Sequence, residues 1–151
     1  MAVRHEQKAV EEGPSASEAA ALEQERRMLY CLSQVPSLGA VSIQELGEFF
    51  GGFSNLFNIE ETALRESGIL REGQIQALCG AKKNLTKHLE DYERLAERGI
   101  WFVTPLDKEY PERLRHIHGY PMGLYVRGKL PDPHLPAAAV VGARGCSEYG
   151  I

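Results

Sequence analysis

The segment from Val140 to Gly150 contains the residue types in this sequence that best suit the binding of a charged ligand. An apolar stretch is followed there by a loop of small residues, Gly-Ala-Arg-Gly-Cys-Ser-Glu-Tyr-Gly. A loop of this kind at the end of a strand can direct backbone N–H groups at a phosphate. Arg144 adds a bidentate cation and Ser147 a hydroxyl at the expected start of a helix. We therefore predict a phosphate-binding loop.

Three glycines and a tyrosine complete this candidate site. Gly142, Gly145 and Gly150 would let a ligand approach the backbone closely, and Tyr149 could stack on a base or pack beneath the loop. The spacing of the glycines departs from the dinucleotide-binding pattern G-x-G-x-x-G. An ordinary tight turn would need the same glycines, so the residues alone leave both interpretations open.

Other residue types that carry chemistry are sparse. The three cysteines form no C-x-x-C pair, which argues against a disulfide framework and a zinc site. His116 and His118 lack further ligands at matching spacing. We find no Walker lysine, no nucleophile with a base beside it and no paired carboxylates at a loop tip. We predict no catalytic residues, no metal and no cofactor.

The composition is that of an ordinary globular protein. Of the 151 residues, 43% are hydrophobic and 25% are charged. No stretch is long and apolar enough to cross a bilayer, and residues 1–5 lack the apolar region of a secretory signal. We predict a cytoplasmic protein with no membrane contact.

The charge is divided unevenly along the chain. Residues 1–97 carry 10 Lys+Arg against 16 Asp+Glu, whereas residues 98–151 carry 7 against 5. A site for a polyanion therefore belongs in the C-terminal part. An acidic, solvated helical surface beside an ordinary domain explains the same numbers.

The hydrophobic spacing predicts helices first and strands later. Residues 1–14 are polar and predict a flexible leader, and Ser15-x-x-Glu18 is a capping-box pattern that opens the first helix. The predicted helices run from Ser15 to before Pro36, from Gly39 to Gly51, around Ser54–Asn58 and Glu60–Glu66, from Glu72 to about Arg98, and from Tyr110 to His116. The predicted strands are Ile100–Val103, Leu124–Arg127 and Ala137–Val141. Strands between helical pieces indicate an α/β layer architecture.

The turn Val35–Gly39 between the first two helices is similar to that of a helix-hairpin-helix motif. In that motif, glycines let the backbone approach a DNA phosphate. Here Ser37 replaces the first glycine, and no basic residue lies between Val35 and Phe50. A purely structural helical hairpin is the alternative interpretation.

Three linked motifs resemble the DNA-processing protein A (DprA/Smf) family. Its pattern of Y-P-x-x-L, then P-x-x-L-Y-x-x-G, then G-x-R-x-x-S-x-Y-G matches Tyr110–Leu114, Pro121–Gly128 and Gly142–Gly150, in order and at the right intervals. Residues 15–98 are similar to the sterile-alpha-motif-like (SAM-like) or helix-hairpin-helix domain that precedes the family's Rossmann-like domain. On this resemblance the fold class is α+β to α/β, with residues 99–151 forming the N-terminal part of a Rossmann-like DNA-binding domain.

The resemblance also implies a function. Family members bind single-stranded DNA with little sequence preference and help to load the RecA recombinase during natural transformation. The resemblance thus implies single-stranded DNA and RecA as partners, and it allows a homodimer. Arg144 would contact a phosphate, assisted by Gly142, Gly145, Ser147, Tyr149 and Gly150. Tyr110, Pro111, Pro121 and Tyr125 would pack the domain entrance as scaffold.

The sequence ends at Ile151, where this loop should open into a helix. A doubly wound sheet needs further strands and helices, so we expect a fragment that binds DNA weakly or not at all. Two other classes compete with the DNA-binding interpretation: a helical protein-interaction module formed by residues 15–98, and an enzyme that holds a nucleotide phosphate in the Gly142–Gly150 loop.

Overall fold

The computed structural model describes residues 15–142 and Gly145, and the predicted leader 1–14 lies outside this range. Six α-helices and two strands follow one another in the described part: α1 Ala16–Ser33, α2 Ala40–Phe50, α3 Glu61–Glu66, α4 Glu72–Ala81, α5 Leu85–Glu97, β1 Ile100–Val103, α6 Glu112–Arg115 and β2 Leu124–Arg127. Two 3-10 turns, Leu56–Asn58 and Lys82–Asn84, connect neighbouring helices.

Helix α1 begins at the predicted capping box. The Ser15 N–H donates to the Glu18 carboxylate at 2.8 Å, and the Glu18 N–H donates to the Ser15 hydroxyl at 3.3 Å. Together these bonds satisfy two donors that a helix N-terminus leaves unpaired. The C-terminal half of α1 is buried over Met28–Leu32, and this half lies in the centre of the core.

Helix α2 ends where its glycines predict. Gly51 adopts the left-handed conformation at φ 74° and donates its N–H to the Gly47 carbonyl. A residue with a side chain adopts this conformation at a cost, which is why glycine is common just after a helix. Gly47 itself lies against the ring of Phe53, in the loop that follows.

The prediction of one continuous helix from Glu72 to about Arg98 was wrong in one respect. The segment is two helices, α4 and α5, separated by the 3-10 turn Lys82–Asn84. Lys82, which interrupts the apolar stripe in the sequence, donates from Nζ to the Ile59 carbonyl at 2.6 Å. The Lys82 side chain thus makes a tertiary contact at the position where the helix is interrupted.

The two strands form an antiparallel pair. Ile100 pairs with Arg127 and Val103 with Leu124. Gly99, at φ 65°, separates α5 from β1, as the sequence predicts. The described residues contain no other strand, so the parallel sheet of an α/β architecture is not among them, and the observed arrangement is α+β.

The predicted strand Ala137–Val141 was wrong. The structure has no strand over these residues, and the side chains of Val140 and Val141 are 100% and 89% exposed. An apolar run is stable as a strand only when neighbouring strands satisfy its backbone and other elements cover its side chains. Among the described residues, nothing provides either.

The helices and the sheet share a hydrophobic core. The larger buried cluster is formed mainly by α1 to α4, and it also contains Phe102 from β1 and Met122 from the segment before β2. A smaller cluster of Val103, Tyr110 and Val126 lies on the other side of the sheet. The division into a SAM-like domain 15–98 and a Rossmann-like domain from residue 99 stays a prediction.

Candidate nucleic-acid interface

Only part of the predicted phosphate loop lies within the described residues. Gly142 and Gly145 are described, and a side chain at either position would meet nothing within 4 Å. Arg144, Ser147, Tyr149 and Gly150 lie outside the described residues. The two described glycines are thus open to an approaching ligand.

The predicted scaffold residues divide into two kinds. Tyr110 is 2% exposed and donates from its hydroxyl to the Pro121 carbonyl at 2.7 Å, so these two residues pack the base of the sheet as predicted. Burial raises the pKa of Tyr110. Tyr125, in contrast, is 54% exposed, although it too was predicted to be packed.

Tyr125 is the exposed member of an aromatic cluster. Its ring centroid lies 5.2 Å from that of Phe102 and 6.2 Å from that of Tyr30, both in edge-to-face geometry. Gln34 donates from Nε2 to the Tyr125 hydroxyl at 2.9 Å. These contacts fix the ring from one side, and more than half of the side chain still reaches solvent.

Burial also acts on the other tyrosines of the cluster. It raises the pKa of Tyr30 to about 12, assisted by the neighbouring Tyr125. It likewise raises the pKa of Tyr92 to about 12, with the nearby Glu23 carboxylate adding to the effect. Both hydroxyls are therefore protonated at neutral pH, and this cluster supplies apolar faces and hydrogen-bond donors without negative charge.

Sequence reasoning missed the contact that joins α1 to the loop after β1. Asp107, which is 6% exposed, accepts a hydrogen bond from Arg26 Nε at 3.3 Å and forms an ion pair with Arg26 Nη2. It also accepts from the Thr104 N–H at 2.7 Å and the Thr104 hydroxyl at 2.8 Å. Because Arg26 and Asp107 are 81 residues apart in the sequence, no local pattern of residues predicts that they form a pair.

Several cations of the C-terminal part are occupied within the protein. Arg115 donates to the Asp107 carbonyl at 2.9 Å and to the Pro105 carbonyl. Arg113 donates to the carbonyls of Pro133 and Leu135, both at 3.1 Å. These guanidiniums hold loops together and are less available for a ligand.

Two further features of the described residues bear on metal and nucleic-acid binding. No group of three or more His, Cys, Asp or Glu side chains within residues 15–142 is arranged to hold a metal ion. A cleft of about 440 Å³ between α1, α5 and β1 contains the carboxylates of Glu23, Glu93 and Glu109. This cleft would repel a nucleic acid. In the part of the chain that the structure covers, no helix could span a bilayer.

Comparison with known proteins links the C-terminal part to DNA metabolism. Residues 101–151 match the family described as DNA recombination-mediator protein A. The chain is also 28% identical over 124 residues to Protein Smf of Synechocystis sp., an alignment that covers 78% of this chain and 30% of that protein. No solved structure matches the chain. By the alignment with Protein Smf, the chain spans about 30% of the length of that relative.

Proposed function

We propose that this chain is a DNA-processing protein of the DprA/Smf family, to which it is similar, and that it binds single-stranded DNA and does not act as an enzyme. The observation that carries this proposal is the family match over residues 101–151. That range contains all six residues of the predicted phosphate loop, and its six Lys+Arg slightly outnumber its five Asp+Glu.

The chemistry of the loop suits a ligand of any sequence. Phosphates give affinity that depends on salt and not on the bases, because binding releases condensed counterions. Arg144 would contact a phosphate as a bidentate donor, the Ser147 hydroxyl would add a directional bond, and the backbone at Gly142, Gly145 and Gly150 would allow close approach. Tyr149 would stack on a base.

The partners of this activity follow from the family. We propose that the DNA-bound protein hands its strand to the RecA recombinase in the course of natural transformation. A homodimer is part of the same proposal. Since the chain spans about 30% of the curated relative, the remaining contacts of that activity would come from sequence equivalent to the rest of the relative.

A second candidate is a helical protein-interaction module. It is favoured by the outer face of α2, where Phe49 is 61% exposed and Val41 is 36% exposed. No basic residue lies in this helix, whose charged side chains are all acidic. A surface that combines exposed apolar groups with negative charge would reject DNA and suit a protein partner.

A salt titration of fluorescent oligo(dT) binding distinguishes the two candidates. We expect the wild-type chain to bind weakly, with an affinity that falls as salt rises, and the Arg144→Ala variant to bind several-fold more weakly still. Arg71→Ala, which removes an exposed guanidinium from the helical part, is the matched control and should bind as the wild type does. Absence of binding at low salt would reject the DNA-binding proposal and favour the protein-interaction module.

A further inference from the structure

The exposed side of β2 and the turn that follows it carry cations without carboxylates. The segment Leu124–Leu130 contains Arg127 and Lys129 and no acidic residue, in a chain whose formal net charge is −4. Both side chains are exposed. Within residues 15–142, neither forms an ion pair, whereas Arg26, Arg27, Arg65, Arg94 and Arg115 all do. Two exposed cations without a carboxylate partner favour contact with a polyanion.

An exposed aromatic ring lies beside these cations. Tyr125 and Arg127 are two residues apart on β2, so their side chains are on the same face of the sheet, roughly 7 Å apart along the strand. This separation is short enough for one nucleotide to place its base on the ring and its phosphate near the guanidinium.

The ring of Tyr125 is held in place before any ligand arrives. Phe102 and Tyr30 support it edge-on from the protein side, and Gln34 donates to its hydroxyl. A ring that is already immobilised loses little conformational freedom on binding, which favours its use as a stacking surface. The ring also stays accessible, because Tyr125 is 54% exposed.

We propose that Tyr125, Arg127 and Lys129 form a second contact surface for single-stranded nucleic acid, here termed the β2 surface, on which Tyr125 stacks on a base while the two cations bind phosphates. This inference rests on the proposed DNA-binding function. The bound nucleic acid would then contact the β2 surface as well as the Gly142–Gly150 loop. Stacking and charge would bind it there without regard to base sequence.

Trp101 reports on the turn that carries these cations, from the face of the sheet opposite to Tyr125, because it pairs with Val126. It is the sole tryptophan of the chain, and its indole N–H donates to the Gly128 carbonyl at 3.2 Å, in the turn between the two cations. Binding of oligo(dT) on the β2 surface is expected to change Trp101 fluorescence with the same concentration dependence as the signal from a labelled oligonucleotide.

Two pairs of variants test the proposal. Tyr125→Leu is expected to weaken oligo(dT) binding about tenfold, while Tyr125→Phe, which keeps the ring, should bind as the wild type does. Arg127→Gln combined with Lys129→Gln should reduce the slope of log affinity against log salt by about 1.4, or about 0.7 for each cation. Lys83→Gln combined with Lys87→Gln removes the same charge from exposed positions in the helical part and should leave the slope unchanged. Thermal unfolding and circular dichroism verify that each variant is folded.

The outcomes separate this inference from the proposed function. If the wild-type chain fails to bind oligo(dT), both fall together. If the wild type binds and Arg144→Ala weakens it, but the β2 variants bind normally and Trp101 fluorescence does not respond, the β2 surface is rejected and the proposed function stands. If the β2 variants keep DNA affinity and lose affinity for the recombinase, the surface is a protein contact and the inference is overturned. If they lose DNA affinity while Arg144→Ala does not, the β2 surface is supported and the assignment to Arg144 is wrong.

Discussion

At the scale of single residues, Asp107 is a buried carboxylate that accepts four hydrogen bonds from Arg26 and Thr104. Burial by itself would raise the pKa of Asp107, but hydrogen bonds from Arg26 and Thr104 outweigh burial and hold its pKa below the ordinary value. A lowered folded-state pKa means that the unfolded chain takes up a proton more readily. The stabilisation is therefore complete above about pH 4 and is lost as the pH falls towards the folded-state pKa.

We predict that Asp107→Asn lowers the free energy of unfolding at neutral pH by about 2 kcal/mol, because it removes one of the two carboxylates, those of Asp107 and Glu23, that pair with the partly buried Arg26 guanidinium. The variant should also lose less stability than the wild type as the pH falls below about 4. Urea unfolding of both proteins between about pH 3 and pH 7 measures the two effects. Asp132→Asn, at an exposed position, is the control and should retain the wild-type profile. Parallel profiles for wild type and Asp107→Asn would contradict the prediction.

Contacts between neighbours in the sequence could be predicted, whereas contacts between distant residues could not. The cap at Ser15 and the stop at Gly51 were predictable because each depends on neighbours within a few positions. The partnership of Arg26 and Asp107 was not, since it depends on how α1 packs against a loop that is distant in sequence. The exposure of Tyr125 was equally hidden, because an alternating strand pattern does not show which face becomes covered.

At the scale of elements, the packing of α2 against the loop that follows it can be tested at one glycine. A Cβ added to Gly47 would lie 2.3 Å from Cε1 of Phe53, a ring that is 9% exposed and has little room to move. Alanine is favoured over glycine inside a helix by about 1 kcal/mol, but overpacking a core costs about 1–3 kcal/mol. We therefore expect the cost of the clash with Phe53 to exceed the gain in helix propensity.

We predict that Gly47→Ala destabilises the protein by about 1–2 kcal/mol net. Gly80→Ala, in α4, is the matched control, because a side chain there meets nothing within 4 Å, and it should stabilise by about 0.5–1 kcal/mol through helix propensity. Denaturant unfolding of the three proteins provides the comparison. The same sign for both substitutions would show that propensity, and not contact with Phe53, decides the effect.

The helices and the two strands were predictable from periodicity, but two features of the elements were not. The break between α4 and α5 coincides with the bond from Lys82 to the Ile59 carbonyl, a tertiary contact that periodicity does not show. Residues 137–141 form no strand because the described residues offer no neighbouring strand to pair with, and apolar character alone does not produce one.

At the scale of the whole molecule, the shared core makes the helices and the sheet interdependent. Phe102 and Met122 lie in the same buried cluster as α1 to α4, and the Arg26–Asp107 pair adds a polar link between the same parts. Residues 15–98 are therefore not insulated from the strands that follow, even though the sequence suggests a domain boundary near Arg98.

We predict that the described part of the chain unfolds in one cooperative transition. Far-UV circular dichroism follows the helices, and Trp101 fluorescence follows the β1–β2 pair, to which its indole is bonded. In urea the two signals should give the same midpoint, as expected for a two-state domain. Two separate midpoints would mean that helices and sheet are independent folding units.

The distance in sequence between Arg26 and Asp107 has a consequence for synthesis on the ribosome. The two partners are 81 residues apart, so at about 5–20 residues per second translation needs roughly 4–16 s to deliver the second after the first. For most of that interval, α1 lacks both the Asp107 carboxylate and the aromatic cover of Phe102. Until β1 and the loop after it emerge, the side of α1 that they cover stays exposed, and a chaperone has that window in which to bind it.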